Sequence, residues 1–76
     1  MPTACLNEPR ARVRLSSERL IVQGPDPEGS GREVELRQMP LRDLDRVIAI
    51  ESVQFTSEAL GALLRADVPI TFLSYN

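Results

Sequence analysis

The sequence has no histidine, no lysine and no tryptophan, and it has one cysteine, Cys5. Without histidine, the commonest general base and the commonest metal-ligating side chain are both missing. A Cys/His zinc site is excluded, and Cys5 has no second thiol in the chain to pair with. Ser16, Ser17, Ser30, Ser52, Ser57 and Ser74 have no imidazole to activate them as nucleophiles. Positive charge is also in short supply, with nine arginines against eleven carboxylates and a net charge of −2. A dedicated nucleic-acid module usually carries a basic surplus instead. No apolar run approaches the 18 or so residues of a membrane-spanning helix. The opening Met1-Pro2-Thr3-Ala4-Cys5 lacks the charged segment and apolar stretch of a secretory signal. An unpaired thiol without an export signal predicts a cytoplasmic protein with no membrane partner.

What is present is ordinary for one small globular domain. The 76 residues are 42% hydrophobic and 26% charged. A chain this short buries about 60% of its unfolded surface. Residues 10–15 alternate strictly, with Arg10, Arg12 and Arg14 on one side and Ala11, Val13 and Leu15 on the other, the period of a half-buried strand. Ser16-Ser17-Glu18 is a polar break, and Arg19-Leu20-Ile21-Val22-Gln23 reads as the returning arm of a hairpin. Thr3 to Leu6 is a further candidate strand, ended by Asn7-Glu8-Pro9. Residues 24–31 hold three glycines and two prolines and form a loop. Residues 32–37 alternate again, and Met39-Pro40 is expected to stop that strand.

The second half changes character. Leu41 to Arg46 reads as one helical turn, and Val47-Ile48-Ala49-Ile50 as a strand buried on both faces. After a short extended piece at Val53-Gln54-Phe55, Thr56 is a good N-cap. The helix it opens is expected over residues 56–66, packed by Leu60, Leu63 and Leu64 at i, i+3, i+4. Val68 to Leu73 closes the chain as a strand parallel to residues 47–50. The predicted fold is α+β and mostly β: a β-sandwich-like domain over residues 1–76, one substantial helix and a terminal β-α-β unit. Its expected core is Ile48, Ile50, Leu60, Leu63, Leu64, Ile70 and Phe72.

Candidate chemistry is thin. Cys5 sits between Ala4 and Leu6 and reads as a small buried apolar residue. The loop at 24–31 carries Asp26 and Glu28 and leads into a strand, which is the wrong context for a phosphate cradle. Asp43 and Asp45 point in different directions on a helical turn and lack further oxygen ligands. The row Arg10, Arg12, Arg14 is the candidate contact to a nucleic-acid backbone. The alternative for that row is cross-strand pairing with Glu33 and Glu35. No catalytic residue and no metal ligand is assigned.

The order of these pieces resembles a known family. Arg12-Val13-Arg14-Leu15 with Glu18-Arg19-Leu20-Ile21-Val22, then Glu33-Val34-Glu35-Leu36 and Met39-Pro40-Leu41-Arg42-Asp43-Leu44, carry the first part. Val47 to Ile50, Val53, Thr56, Ala59-Leu60, Leu63-Leu64 and Val68 to Ser74 carry the rest. Together they are similar to the N-terminal β-domain of the CRISPR-associated endonuclease/integrase (Cas-one) family of spacer acquisition. The resemblance implies a dimerisation and scaffold domain, with a homodimer, the small Cas-two protein and DNA as partners. It implies that metal-dependent cutting and joining of DNA, using Mg or Mn, resides in a helical C-terminal domain, with no cofactor held by this chain. The stop at Asn76, just after a strand, fits the front part of a longer protein. The turn Asn7-Glu8-Pro9-Arg10 lacks the aromatic that some members use to stack on a DNA end. A free-standing protein-interaction module and a small nucleic-acid binder using the arginine row are the competing readings.

Overall fold

The computed structural model describes residues 3–74. Met1, Pro2, Tyr75 and Asn76 lie outside that description, so the readings of the chain's two ends rest partly on residues not described. Seven strands, one 3-10 turn and one helix follow in the order β1 (Thr3–Leu6), β2 (Arg12–Ser16), β3 (Arg19–Pro25), β4 (Glu33–Pro40), the 3-10 turn (Leu41–Asp43), β5 (Arg46–Ile50), β6 (Gln54–Phe55), α1 (Ser57–Arg65) and β7 (Ile70–Leu73). This is the mostly β, α+β fold expected, with two sheets and a β-α-β crossover. No helix among the described residues is long and apolar enough to cross a membrane.

One sheet has four strands in the order β4-β3-β2-β6. The β2–β3 hairpin turns through Ser17 and Glu18, both left-handed at φ 50° and 62°. Positive φ at both central positions matches the right-handed twist of the arms, although glycine and asparagine adopt it more cheaply. β3 and β4 pair antiparallel with a register shift after Val22, which leaves Leu36 as an extra residue on β4. Leu36 lies across Gly24, where a Cβ would sit 2.9 Å from its Cδ1. Contrary to the expectation that Met39-Pro40 would stop the strand, β4 runs on through Pro40, paired with Arg19. β4 is an edge strand, so a proline with no N–H to donate is tolerated at its end.

The other sheet has three parallel strands in the order β1-β5-β7. Ala4 pairs with Val47, and Val47 with Ile70. β6 leaves this sheet and pairs parallel with β2, its Gln54 amide donating to the Ala11 carbonyl at 2.9 Å. The crossover from β5 to β7 is therefore fastened to the opposite sheet on its way. The core lies between the sheets, with Ala4, Leu6, Val47 and Ala49 from one and Val13, Leu20 and Val22 from the other, all buried.

The helix is where the expected core needs correction. Thr56 caps it as expected, its hydroxyl accepting from the Ala59 amide at 3.1 Å. The buried face, however, is Ala59, Ala62 and Leu63. Leu64 is 73% exposed and Leu60 only half-buried. Both spacings satisfy the i, i+3, i+4 rule, and the face carrying two alanines is the one that lets α1 lie close against β2. Phe72 is also corrected, being 52% exposed because β7 is the sheet's edge. Of the remaining expected core residues, Leu63 and Ile50 are buried, while Ile48 and Ile70 are half-buried.

Candidate functional site

The arginine row does not survive as a row. Arg10 precedes β2, in a turn where its own φ is 61° and its amide donates to Ser52 Oγ at 3.3 Å. Arg12 and Arg14 lie on β2, but each has a partner. Arg12 Nη1 is 3.7 Å from Glu33 Oε1, and Arg14 Nε donates to Gln23 Oε1 at 2.8 Å. The pairing of Arg12 with Glu33 is the cross-strand alternative weighed for this row. Arg37, which sequence pattern did not single out, holds the β1–β2 loop to β4. Its guanidinium meets both oxygens of Glu8, with Nε 2.8 Å from Oε2, and Nη2 donates to the Cys5 carbonyl at 2.6 Å. Only Nη2 hydrogen-bonds to Glu8, at 3.1 Å, and the Nε contact is an ion pair without hydrogen-bond geometry.

The loop of residues 26–31 is a self-contained turn. Asp26 Oδ1 accepts from the Glu28 amide at 2.9 Å. Hydrogen bonds from the Ser30 hydroxyl and then the Glu28 amide hold the Asp26 carboxyl below its ordinary pKa. Among the described residues no three of His, Cys, Asp or Glu gather as a metal site, and Asp43 and Asp45 are both exposed. The described side chains offer no ligand set that fits a divalent metal.

One unpartnered feature is the outer face of the parallel sheet. Strand register sets Cys5 beside Ile48, Ile48 beside Thr71, and Ile50 beside Leu73. Alternation turns Cys5, Ile48, Thr71 and Leu73 away from Ala4, Val47 and Ala49, which face the core, whereas Ile50 at the end of β5 is itself buried in that core. Cys5, Thr71 and Leu73 are exposed and Ile48 is half-buried. The expectation that Cys5 is buried is thus overturned: it lies on the opposite face from its neighbours Ala4 and Leu6. Parallel sheets are normally covered on both faces, so an apolar outer face is unusual for an isolated domain. Phe72, on the inner face, meets Phe55 edge-to-face at 5.6 Å and ties the open edge of β7 to β6.

Fold and surface together define a small two-sheet α+β domain. A sequence profile of the family described as CRISPR associated protein Cas1 matches residues 4–76. The chain belongs to that family, as its N-terminal β-domain. No relative is found among curated protein sequences. Among solved structures, the chain is similar to a casposase bound to integration product, with a TM-score of 0.66 and 20% identity over 96% of this chain and 21% of that one. It is also similar to the protein in the crystal structure of a TtCas1–DNA complex, with a TM-score of 0.65 and 15% identity over 96% of this chain and 23% of that one. At these identities the likeness is one of fold. The chain spans between a fifth and a quarter of the length of either structure's chain.

Proposed function

We propose that this domain is the dimerisation and scaffold part of a CRISPR spacer-acquisition DNA integrase. The family match over residues 4–76 carries the reading. The apolar outer face of the parallel sheet supports it, because that face needs a protein surface against it. In this reading the full-length protein is a cytoplasmic, metal-dependent DNA endonuclease and integrase whose Mg or Mn chemistry belongs to a separate helical domain. Its partners are a second copy, the small Cas-two protein and DNA. The 76-residue chain alone cuts no DNA.

Sedimentation equilibrium tests the self-association. The chain is expected to show a concentration-dependent mass rising from 8.5 kDa towards twice that value. Leu73→Asp, at a 51% exposed position, should shift the balance to monomer without altering the far-UV spectrum. A single 8.5 kDa species persisting near millimolar concentration would refute the dimer and favour a free-standing interaction module.

A further inference from the structure

The arginines that sequence alternation gathers are dispersed by the fold, and others are brought together in their place. The amide of Leu41 donates to the Glu18 carbonyl at 2.9 Å, docking the 3-10 turn onto the tip of the β2–β3 hairpin. This sets Arg42 beside Arg19 in a cleft of about 190 Å³ lined by Ser17, Glu18, Arg19, Pro40 and Arg42. A neighbouring hollow of about 280 Å³ shares Glu18 and is lined by Leu15, Leu41, Ala62, Arg65 and Ala66. The last turn of α1 thereby brings a third arginine, Arg65, to the same end of the molecule, its guanidinium lying beside Gly61.

The two clefts are lined by three arginines and one carboxylate, Glu18, in a chain whose net charge is −2. Arg19 is held only by a neutral partner, its Nη1 donating to Gln38 Oε1 at 3.0 Å. Neither Arg42 nor Arg65 has an ion-pair partner among the described residues, and all three are exposed. Arg12 and Arg37, by contrast, are paired with glutamates.

The geometry points to this hairpin end as a contact surface for successive phosphates of a DNA backbone, with Arg19, Arg42 and Arg65 as the contacting side chains. Guanidinium forks match phosphate oxygens bidentately, and the Ser17 hydroxyl adds a donor in the first cleft. Two adjoining open clefts suit a chain of phosphates better than one isolated ion. Glu18, between them, opposes the bound strand. This inference rests on the reading that the domain works on DNA, and it assigns that work to a surface distinct from the parallel sheet.

The test is binding of the 76-residue chain to a labelled DNA duplex by fluorescence anisotropy across a salt series. Each phosphate contact contributes about 0.9 to the slope of log affinity against log salt. Arg42→Gln with Arg65→Gln should lower the slope by about 1.8 and weaken binding at every salt concentration. Glu18→Gln should tighten binding, and Arg12→Gln with Arg14→Gln should leave the slope unchanged. An unchanged slope in the Arg42/Arg65 variant, or no binding by the parent at low salt, would overturn the inference. So would complete displacement of DNA by millimolar inorganic phosphate at fixed ionic strength, because the site would then serve a single anion. The outcome is independent of sedimentation: a dimer with an unaltered slope refutes only the phosphate surface, and a monomer with a reduced slope refutes only the dimer.

Discussion

Leu63 and Leu64 are adjacent on α1, and they are the sharpest test of how the helix is seated. Leu63 is fully buried, in contact with the core that includes Val13 and Val22, and Leu64 is 73% exposed. Replacing a buried leucine by alanine removes its transfer free energy and leaves a cavity, costing about 2–5 kcal/mol. At about 0.05–0.15 kcal/mol per residue, a domain of this length has a total stability of about 4–11 kcal/mol. Leu63→Ala therefore removes a large part of what holds the fold. Leu64→Ala loses little burial, and alanine is at least as good a helix former as leucine, so its expected change is within about 0.5 kcal/mol. Urea unfolding of the three proteins, followed by circular dichroism, measures both. Each kcal/mol corresponds to about 4–8 °C in melting temperature for a domain of this size. Equal destabilisation by the two variants would mean that the helix is rotated from the orientation described, with Leu64 sharing the contact with β2.

Thr56→Ala removes the hydroxyl that accepts from Ala59 and should cost about 0.5–2 kcal/mol, with Thr56→Ser recovering most of it in the same urea titration. Changing Ser17 to Asn and Glu18 to Gly relieves two left-handed residues at the hairpin tip and should stabilise the chain by about 1 kcal/mol; a lower urea midpoint would contradict the turn geometry. Because hydrogen bonds lower the Asp26 carboxyl in the folded state, its contribution to stability is present above the unfolded pKa and lost as pH falls through the folded value. Carboxyl NMR should find Asp26 titrating below an unfolded aspartate, and Ser30→Ala should raise it; titration at or above the unfolded value would refute the turn.

Sequence pattern reaches the local elements here because each has a local cause. The β2–β3 hairpin follows from two runs of apolar alternation around a polar break, and the start of α1 from Thr56. The parallel pairing of β5 with β7 follows from a strand-helix-strand order that a crossover must join. The helix phase did not follow, because Leu60, Leu63 and Leu64 make as good a stripe as Ala59, Ala62 and Leu63. Only the closeness of β2 selects the alanines. Burial of Cys5 failed for a related reason. A strand alternates, and Ala4 and Leu6 took the inward positions. Arg10 lies in a turn before β2, so only Arg12 and Arg14 of the arginine row share the strand, while the cluster of Arg19, Arg42 and Arg65 is assembled from a hairpin, a 3-10 turn and a helix end. No spacing along the chain encodes that meeting.

The pairing of β1 with β5 has a consequence for how the domain comes to exist. Ala4 finds Val47 only after about forty intervening residues have been made, and β5 is the first strand of its sheet that β1 can join. At about 5–20 residues per second, a ribosome makes β5 several seconds after β1, and the parallel sheet cannot form before then. Until β5 is made, Leu6, fully buried in the folded domain, has no strand of its own sheet to pair beside. Assembly of the parallel sheet is thus gated by synthesis of the domain's second half.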